Sequence, residues 1–446
     1  MLKNSLKIAT LGKRQFSSAL YITGDKAQTN FAVLTPVIDF DEQIKHKEEL
    51  AKNIQDRNLH TDIDKVEEKW RFFKEVEGKL NMLEQTRIEI GRNLHNLGKQ
   101  PADPNVEKEK EKLMTHLRLL KEDIKNIHEM SYRVEEGAML EILNLPNKLH
   151  PKTPKAHEEE LFRYLEANPT KTDSHMTIGE RQGYLKLINH MSCYLKADAA
   201  LLEQALHNFF AEELLHLNYT QFSNADFVKT VVAEGCGAEP NEMLTMETIH
   251  CTKSDDLNKL HITGSSSLYS FMAYFTKHFV QTTYFPIKAF SVGRRYQMAN
   301  ENAPLSLFNL NQTSEVGMFI ASNKLDDNFL ENIVNEVSTV YQRLGMHFKI
   351  VLTPANRLKK AESLRMSVQM FSNHLQDYIE VGNVSFYGDY ISKRLLFNYS
   401  ENKERKYPIV VGGSLLNIHK FLGCALEHNS IEGKPLLNDV LLKYVS

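Results

Sequence analysis

Residues that could do chemistry are abundant in this sequence, but none falls into the spacing of a self-contained catalytic motif. The chain of 446 residues contains 18 histidines. It has no glycine-rich phosphate loop, no G-x-G-x-x-G, no G-x-S-x-G and no H-E-x-x-H. His207 and His216 lie half a turn out of phase on a helix, so the pair does not predict a shared metal ion. Any catalytic site must therefore be assembled from residues that are distant in sequence.

The cysteines also do not predict a metal site. No two of them form a C-x-x-C pair, and they are scattered between residues 193 and 424. Scattered single cysteines are typical of reduced thiols in a non-secretory compartment. We expect no structural zinc and no other metal. The four cysteines are Cys193, Cys236, Cys251 and Cys424.

Composition and charge set limits on the class of protein. A hydrophobic fraction of 42% and a charged fraction of 25% are typical of a globular protein. No stretch approaches the roughly 18 apolar residues that span a bilayer. The formal net charge is -3, so the chain as a whole does not have the basic field of a nucleic-acid-binding protein. Contact with RNA would require a local basic patch.

The first 24 residues have the composition of a targeting segment. Residues 1–24 contain four basic residues, several Ser, Thr and Leu, and no acid. This composition predicts a mitochondrial presequence, disordered or removed, and a mature protein in the mitochondrial matrix. The segment Arg14-Gln15-Phe16-Ser17 predicts cleavage after Phe16. The alternative is a basic tail without a targeting role.

Two long amphipathic helices follow in a predicted N-terminal helical domain, residues 25–144. Between residues 62 and 98 the apolar residues recur at steps of three, four or seven, which places them on one seam of a helix. Glycine and two prolines interrupt the pattern at residues 98–104. A second seam runs from 113 to 134, so we predict an antiparallel coiled-coil arm. The seam residues are Val66, Trp70, Phe73, Leu80, Leu83, Ile90, Leu94, Leu97, Leu113, Leu117, Leu120, Ile124, Ile127 and Val134.

Residues 145–446 have a different pattern, in which helices and β-rich runs do not alternate regularly. A proline-punctuated linker at 144–151 precedes them. Residues 201–217 predict a helix. β-Branched and aromatic residues predict strands at 348–352, 378–384, 394–399 and 408–411. This order favours an α+β fold with an antiparallel sheet flanked by helices.

Several short segments, taken in order, resemble the seryl-tRNA synthetases, which are class II aminoacyl-tRNA synthetases. The resemblance runs from about Phe40 to the end of the chain. The segment 202–206 is similar to the family's motif 1 helix, and 218–220 to the segment after it. Gly413-Ser414 is similar to the core of motif 3. The resemblance implies an N-terminal tRNA-binding-type arm followed by a class II synthetase-like domain.

The same alignment indicates that the residues needed to charge tRNA have been lost. Adenylate formation requires arginines and divalent ions that neutralise the phosphates, and carboxylates that hold the amino group and the metals. The family's Phe-Arg-x-Glu of motif 2 is replaced by Arg294-Arg295-Tyr296-Gln297, and the Thr-x-Glu that faces serine by Thr263-Gly264-Ser265. The arginine of motif 3 that grips the ATP γ-phosphate aligns with Lys420, which lacks the bidentate fork. The degenerate positions are Thr263, Ser265, Arg295, Gln297, Asn311, Gln312, Glu380, Ser385, Asp389, Arg394 and Lys420.

Deleting one charge stabiliser typically costs on the order of 10²–10³ in rate, so several losses predict a pseudoenzyme without a catalytic residue. We expect that binding of ATP and Mg²⁺ has been lost. The retained charges of Arg295, Glu380, Asp389 and Arg394 are expected to form internal ion pairs, because buried charges require partners. The alternatives are a divergent but active serine–tRNA ligase, and a coiled-coil adaptor that binds protein partners only.

A nearer resemblance, to the non-charging seryl-tRNA-synthetase-like paralogues of insect mitochondria, implies partners. These are the active mitochondrial seryl-tRNA synthetase in a heterodimer, tRNA(Ser) or other mitochondrial RNA, and possible contact with the mitochondrial Lon protease. The motif 1 proline of the family aligns near Ala225, which suggests a remodelled dimer interface. Phosphate contacts are expected from basic residues of the arm. These are Arg92, Lys99, Lys110, Arg118, Lys121 and Lys125.

Overall fold

The computed structural model describes residues 18–21, 34–99, 101, 103–246 and 259–445. The chain divides into two compact units, Met1–Val33 with Lys65–Asn144, and Leu34–Asp64 with Leu145–Ser446. Most of the predicted presequence, the predicted cleavage site after Phe16, and Cys251 lie outside the described residues.

The helices are numbered in chain order. They are α1 (Phe40–Lys45), α2 (Lys47–Asp56), α3 (Ile63–Leu97), α4 (Pro104–Leu143), α5 (His175–Arg181), α6 (Asp198–His216), α7 (Thr230–Gly235), α8 (Leu268–Phe275), α9 (Phe329–Gln342), α10 (Tyr390–Leu395), α11 (Ile418–Glu432) and α12 (Asp439–Leu442). Single 3-10 turns cover Pro240–Glu242, Thr282–Tyr284 and Ala355–Arg357.

The strands are numbered in the same way. They are β1 (Glu159–Tyr164), β2 (Leu185–Asn189), β3 (Ser192–Leu195), β4 (Thr220–Gln221), β5 (Phe227–Lys229), β6 (Thr245–Met246), β7 (Leu260–Ile262), β8 (Phe279–Val280), β9 (Ile287–Tyr296), β10 (Gln312–Ser322), β11 (Phe348–Leu352), β12 (Leu364–Ser372), β13 (Asp377–Gly388), β14 (Asn398–Glu401), β15 (Glu404–Lys406) and β16 (Ile409–Asn417).

The two-helix arm forms as the seams predict. Ile90 on α3 and Leu120 and Ile124 on α4 make a buried cluster, and the other leucines of both seams pack around it. Pro104 takes the first position of α4, where its missing N–H costs nothing, and the Asp103 side chain accepts a hydrogen bond from the Asn105 N–H at 3.1 Å. Mutual burial of the seams stabilises two helices that would be marginal alone.

Four residues of the predicted presequence are ordered on this same unit. Ala19 and Leu20 are buried, and the Tyr21 hydroxyl donates a hydrogen bond to the Glu135 carboxylate of α4. Residues 18–21 therefore belong to the folded protein. These contacts differ from the prediction that all of residues 1–24 are disordered, and removal of a presequence stays a prediction.

An eight-stranded sheet forms the frame of the second unit, in the order β1-β11-β12-β13-β16-β10-β9-β4. All of its pairs are antiparallel except β4 with β9. Helices α6, α9 and α11 share one apolar core with the sheet. The α+β class and the antiparallel sheet flanked by helices are confirmed by this architecture.

Two sequence predictions differ from the structure in detail. The predicted strand 394–399 is wrong over its first half, because α10 continues to Leu395 and Leu396 turns the chain in the left-handed region with φ 56°. The predicted helical domain includes residues 34–64, but these residues group with Leu145–Ser446. The cause is Arg57, which is 4% exposed and donates hydrogen bonds to the carbonyls of Asn147 and Lys359, both at 3.0 Å.

Among the described residues no helix is both long enough and apolar enough to cross a membrane. The three described cysteines are free thiols. Cys236 and Cys424 are buried and Cys193 is half-buried. Burial raises the pKa of the Cys236 and Cys424 thiols above their usual range.

Candidate functional site

A cavity of about 470 Å³ opens over the middle of the large sheet. Strands β9, β10, β12, β13 and β16 supply its floor, and the N-terminus of α11 lies at one side. Of the sequence-predicted positions, Arg295, Gln297, Glu380 and Lys420 line the cavity. Strongly charged groups converge there from separate strands, which makes it the candidate active site of the fold.

Arg295 of β9 faces a buried carboxylate on the neighbouring strand. Its Nε lies 3.7 Å from Oε2 of Glu315, whose side chain is 3% exposed. The other oxygen, Oε1, accepts hydrogen bonds from the Thr313 hydroxyl at 2.9 Å and from the Asn417 amide at 2.7 Å. Arg295 thus faces a buried carboxylate at ion-pair distance, without a hydrogen bond to Oε2 of Glu315.

Arg365 of β12 bridges two more carboxylates. Its Nη1 lies 3.3 Å from Oε1 of Glu362, and its Nη2 pairs with Oε1 of Glu380. Glu380 also accepts hydrogen bonds from the hydroxyl of Ser367 and from the amide of Asn383. Burial alone would raise the pKa of the Glu380 carboxyl. Arg365, Ser367 and Lys420 outweigh burial and lower that pKa, so the group is ionised at neutral pH.

Ser385 does not reach the cavity surface but supports Glu362. The Ser385 hydroxyl donates to Oε1 of Glu362 at 2.8 Å, and the Lys359 N–H donates to Oε2 at 2.7 Å. The Lys359 side chain borders the cavity. The enclosing walls lower the pKa of its ammonium; Glu362 opposes this shift, and Arg295 and Arg365 add to it.

The segment that carries Lys359 and Glu362 is fixed from behind. Arg57 donates to the carbonyls of Lys359 and Glu362, and the Asn147 amide donates to the Ala361 carbonyl at 2.8 Å. Burial lowers the pKa of Arg57 to about 10, and Glu362 opposes that shift. Three chain segments that are remote in sequence therefore hold one wall of the cavity.

Lys420 lies in the first turn of α11. The Asn417 side chain caps this helix by accepting the Lys420 N–H at 3.0 Å. Asn417 therefore serves two roles, since its amide also binds Glu315. The helix N-terminus and the lysine side chain both add positive potential to this side of the cavity.

The loop between β9 and β10 is closed by polar contacts that keep Asn311 and Gln312 away from the cavity surface. Gln297 and Asn311 exchange backbone and side-chain hydrogen bonds, and the Asn311 N–H donates to the His190 carbonyl at 2.9 Å. Gln312 opens β10 opposite Tyr296. Of these positions only Gln297 lines the cavity.

Thr263 and Ser265 are structural in this protein. Thr263 is 1% exposed, and the backbone N–H of Ser265 donates to Oδ1 of Asp226 at 2.8 Å. Gly264 between them has φ 87°, and a Cβ there would lie 2.0 Å from the Arg294 carbonyl oxygen. The tight turn requires glycine, and neither neighbour lines the cavity.

Asp389 and Arg394 lie outside the cavity. Asp389 pairs with Lys393 at 2.6 Å on α10. Arg394 is 7% exposed, and its guanidinium carbon lies 3.3 Å from the centre of the Tyr390 ring. Both residues match motif positions in sequence. In the structure their side chains contact residues of the short helix α10 and do not face the cavity.

Sequence reasoning missed seven charged residues of the cavity, which are Glu239, Glu242, Glu315, Lys359, Lys360, Glu362 and Arg365. The signal for Arg365 was the alternation of apolar and polar residues along 364–369, which places Arg365 and Ser367 on one face of a strand. Glu315 gave no such signal, because a single acid in an otherwise uncharged strand has no periodicity.

Within the described residues no group of three or more His, Cys, Asp or Glu side chains is arranged to hold a metal ion. The cavity instead contains cations and carboxylates that neutralise one another. Ion pairs fix the positions of these charged side chains. Arg295 pairs with Glu315, and Arg365 pairs with Glu362 and Glu380.

Comparisons with known proteins agree with this fold. The tRNA synthetase class II core domain (G, H, P, S and T) matches residues 253–429. The serine–tRNA synthetase-like protein Slimp of Drosophila melanogaster is 29% identical over 100% of this chain and 97% of its own. The mitochondrial serine–tRNA ligase of Mus musculus is 22% identical over 92% of this chain and 83% of its own.

Solved structures show the same fold. The seryl-tRNA synthetase from Pyrococcus horikoshii complexed with ATP matches with a TM-score of 0.78 and 15% identity, covering 92% of this chain and 98% of that one. The cytoplasmic serine–tRNA ligase from Naegleria fowleri in complex with AMP matches with a TM-score of 0.73 and 17% identity, covering 89% and 94%. At these identities the likeness concerns the fold alone.

The buried imidazole of His419 on α11 predicts how stability depends on pH. Its Nδ1 accepts the Ser314 N–H at 3.1 Å, and the ring is 2% exposed. Burial lowers the pKa of His419 to about 4; Glu203 opposes this shift, and Arg294 adds to it. Since an unfolded histidine has a pKa of about 6.5, the unfolded chain binds more protons. The free energy of unfolding should therefore fall as pH decreases from 6.5 towards 4.

Chemical denaturation of the wild type and of His419→Asn across this pH range tests the prediction. The asparagine oxygen can accept the same N–H but does not titrate, so the variant should lose up to about 1.4 kcal/mol per pH unit of the slope. The exposed His216, changed to Asn, is the matched control. Identical slopes for the wild type and His419→Asn would contradict the assignment of a neutral buried imidazole.

Proposed function

We propose that this chain, a Slimp-like paralogue of the seryl-tRNA synthetases with a class II core domain, does not charge tRNA and acts by binding in the mitochondrial matrix. The observation that carries the proposal is the internal pairing of the cavity charges. Arg295, the motif 2 arginine, faces Glu315 at 3.7 Å, and Glu380 is held by Arg365. In an active synthetase, charged side chains of this site stabilise the phosphates of ATP during the reaction. Here these side chains contact each other.

The loss of magnesium-bound ATP is part of the same proposal. Divalent ions need free carboxylate oxygens, and one oxygen each of Glu362 and Glu380 is already engaged by the guanidinium of Arg365. Gln297 at the motif 2 acid position offers an amide where an acid would be required. These residues do not fit the metal-bound nucleotide, so no catalytic step is assigned to them.

The proposed partner is the active mitochondrial seryl-tRNA synthetase, and the two chains would form a heterodimer that supports charging of tRNA(Ser). The motif 1 helix α6 supports this proposal, because Leu201 and Leu215 on its outer face are 36% and 52% exposed. Tyr194 on the adjacent hairpin is 55% exposed. Apolar side chains left in water on one face are typical of an interaction site. Roles in mitochondrial DNA and translation homeostasis, and contact with the Lon protease, are proposed from the resemblance alone.

RNA contact by the arm is the second part of the binding role. Five of the six proposed basic residues are exposed, and Lys110 is half-buried at 3.8 Å from Glu107. Acidic residues such as Glu89 and Glu122 alternate with them, so the arm has no uniform basic field. This alternation favours binding to RNA that is already held by a partner, where a few phosphate contacts add to an existing complex.

Sedimentation of the purified chain mixed with a mitochondrial seryl-tRNA synthetase tests the partner. We expect a one-to-one complex that the double variant Leu201→Asp/Leu215→Asp weakens at least tenfold, because a desolvated carboxylate at the interface costs more than about 1.4 kcal/mol. The control is Leu375→Asp, which changes an equally exposed leucine in the β12–β13 turn. No complex, or equal weakening by Leu375→Asp, would contradict the proposed interface.

Salt-dependent RNA binding by that complex tests the arm. Changing all six basic residues to alanine should lower the affinity for tRNA(Ser). The slope of log affinity against log salt should also fall by about 0.7–0.9 for each phosphate that the variant no longer neutralises. The matched control changes six exposed lysines outside the arm. An unchanged slope in the arm variant, or an equal change in the control, would show that the arm does not bind RNA. The control lysines are Lys171, Lys186, Lys196, Lys229, Lys403 and Lys443.

A further inference from the structure

The guanidinium of Arg365 lies between two carboxylates that have few other cationic side chains nearby. Nη1 faces Oε1 of Glu362 at 3.3 Å, and Nη2 pairs with Oε1 of Glu380. The Glu362 side chain is 3% exposed, and that of Arg365 is 15% exposed. One planar cation therefore bridges two acids, one just before β12 and the other on β13.

Without this cation the two acids would be unstable neighbours. Carboxylates that share a partly buried site cannot both stay ionised unless a positive charge lies between them. Lys359 and Lys420 also border the cavity, but no ion pair of theirs with either acid is present among the described residues. In the part of the chain that the structure describes, Arg365 is thus the cation that makes the ion pairs with Glu362 and Glu380.

The side chains around the two acids carry oxygens of the kind that hard divalent cations prefer. The hydroxyls of Ser385 and Ser367 donate to Glu362 and Glu380 respectively, and the Asn383 amide nitrogen donates to Glu380 at 3.1 Å. Carboxylate, hydroxyl and amide oxygens are the ligands of Mg²⁺, Ca²⁺ and Mn²⁺. The site borders the open cavity, so an ion could reach it from solvent.

We infer that Arg365 is a built-in cation that fills an oxygen-donor site for a divalent metal, and that its removal would let the metal bind. The guanidinium supplies the positive charge permanently, at a fixed position, and without dependence on metal concentration. The wild-type protein then excludes a divalent ion from Glu362 and Glu380 by occupancy and by charge repulsion. This inference rests on the loss of magnesium binding proposed above and names the residue responsible for it. The presence or absence of a protein partner does not affect it.

Binding of Mn²⁺ to the full-length chain, followed by the decrease of the free-ion electron paramagnetic resonance signal, tests the inference. Arg365→Gln should bind one more Mn²⁺ per chain than the wild type, and Mg²⁺ in excess should displace it. Arg365→Lys keeps a positive charge at the site and should behave as the wild type. Arg365→Gln/Glu380→Gln removes one of the two acids and should not bind the additional ion.

Thermal unfolding gives a second readout. Mn²⁺ should raise the unfolding midpoint of Arg365→Gln, because the ion binds the folded state only, and should leave the midpoint of Arg365→Lys unchanged. Arg365→Met, which keeps the aliphatic volume, is read in the same way if the glutamine variant is insoluble. The inference is overturned if the neutral variants bind no more Mn²⁺ than the wild type, if the additional ion persists without Glu380, or if the wild type itself binds Mn²⁺ there.

Discussion

Five acidic and five basic side chains line the cavity over the sheet, and three of these acids pair with its two arginines. A charge withdrawn from water is costly unless it is paired and hydrogen-bonded. The strands meet this requirement with one pair, Arg295 with Glu315, and one bridge, Arg365 with Glu362 and Glu380. Removing any one of these charged side chains would leave another without its ion-pair partner. The same pairing leaves little freedom to handle the moving charges of adenylate formation.

The surrounding fold holds these charged side chains in position. Antiparallel pairing of β9, β10 and β16 sets the positions of Arg295 and Glu315, and Asn417 joins Glu315 to the first turn of α11. Arg57 and Asn147 hold the opposite wall through backbone carbonyls. Under the proposed function, a cavity whose arginines are engaged by carboxylates leaves the outer surfaces of the protein to act by binding. The exposed face of α6 and the arm are the surfaces available for that use.

The sequence allowed the arm and the fold class to be predicted, because long seams and proline breaks are local, periodic signals. The cavity could be predicted only in part. Asp389 and Arg394 matched motif positions, yet α10 turns both away from the cavity, since linear spacing does not fix side-chain direction across a short helix. Glu315 and Arg365 were missed because each is a single charge in a strand. Their roles depend in part on partners more than ten residues away, Asn417 for Glu315 and Glu380 for Arg365, which a pattern in one segment does not reveal.

Serine-dependent ATP–pyrophosphate exchange by the purified chain, beside an active seryl-tRNA synthetase, tests the central claim most directly. The assay measures adenylate formation and needs neither tRNA nor a partner. Internal pairing of the cavity charges predicts exchange at the background level, unchanged by Arg295→Ala. Exchange well above background that disappears in Arg295→Ala would mean that Arg295 still meets a phosphate. That result would contradict the account of the cavity as a charge-balanced, non-catalytic site.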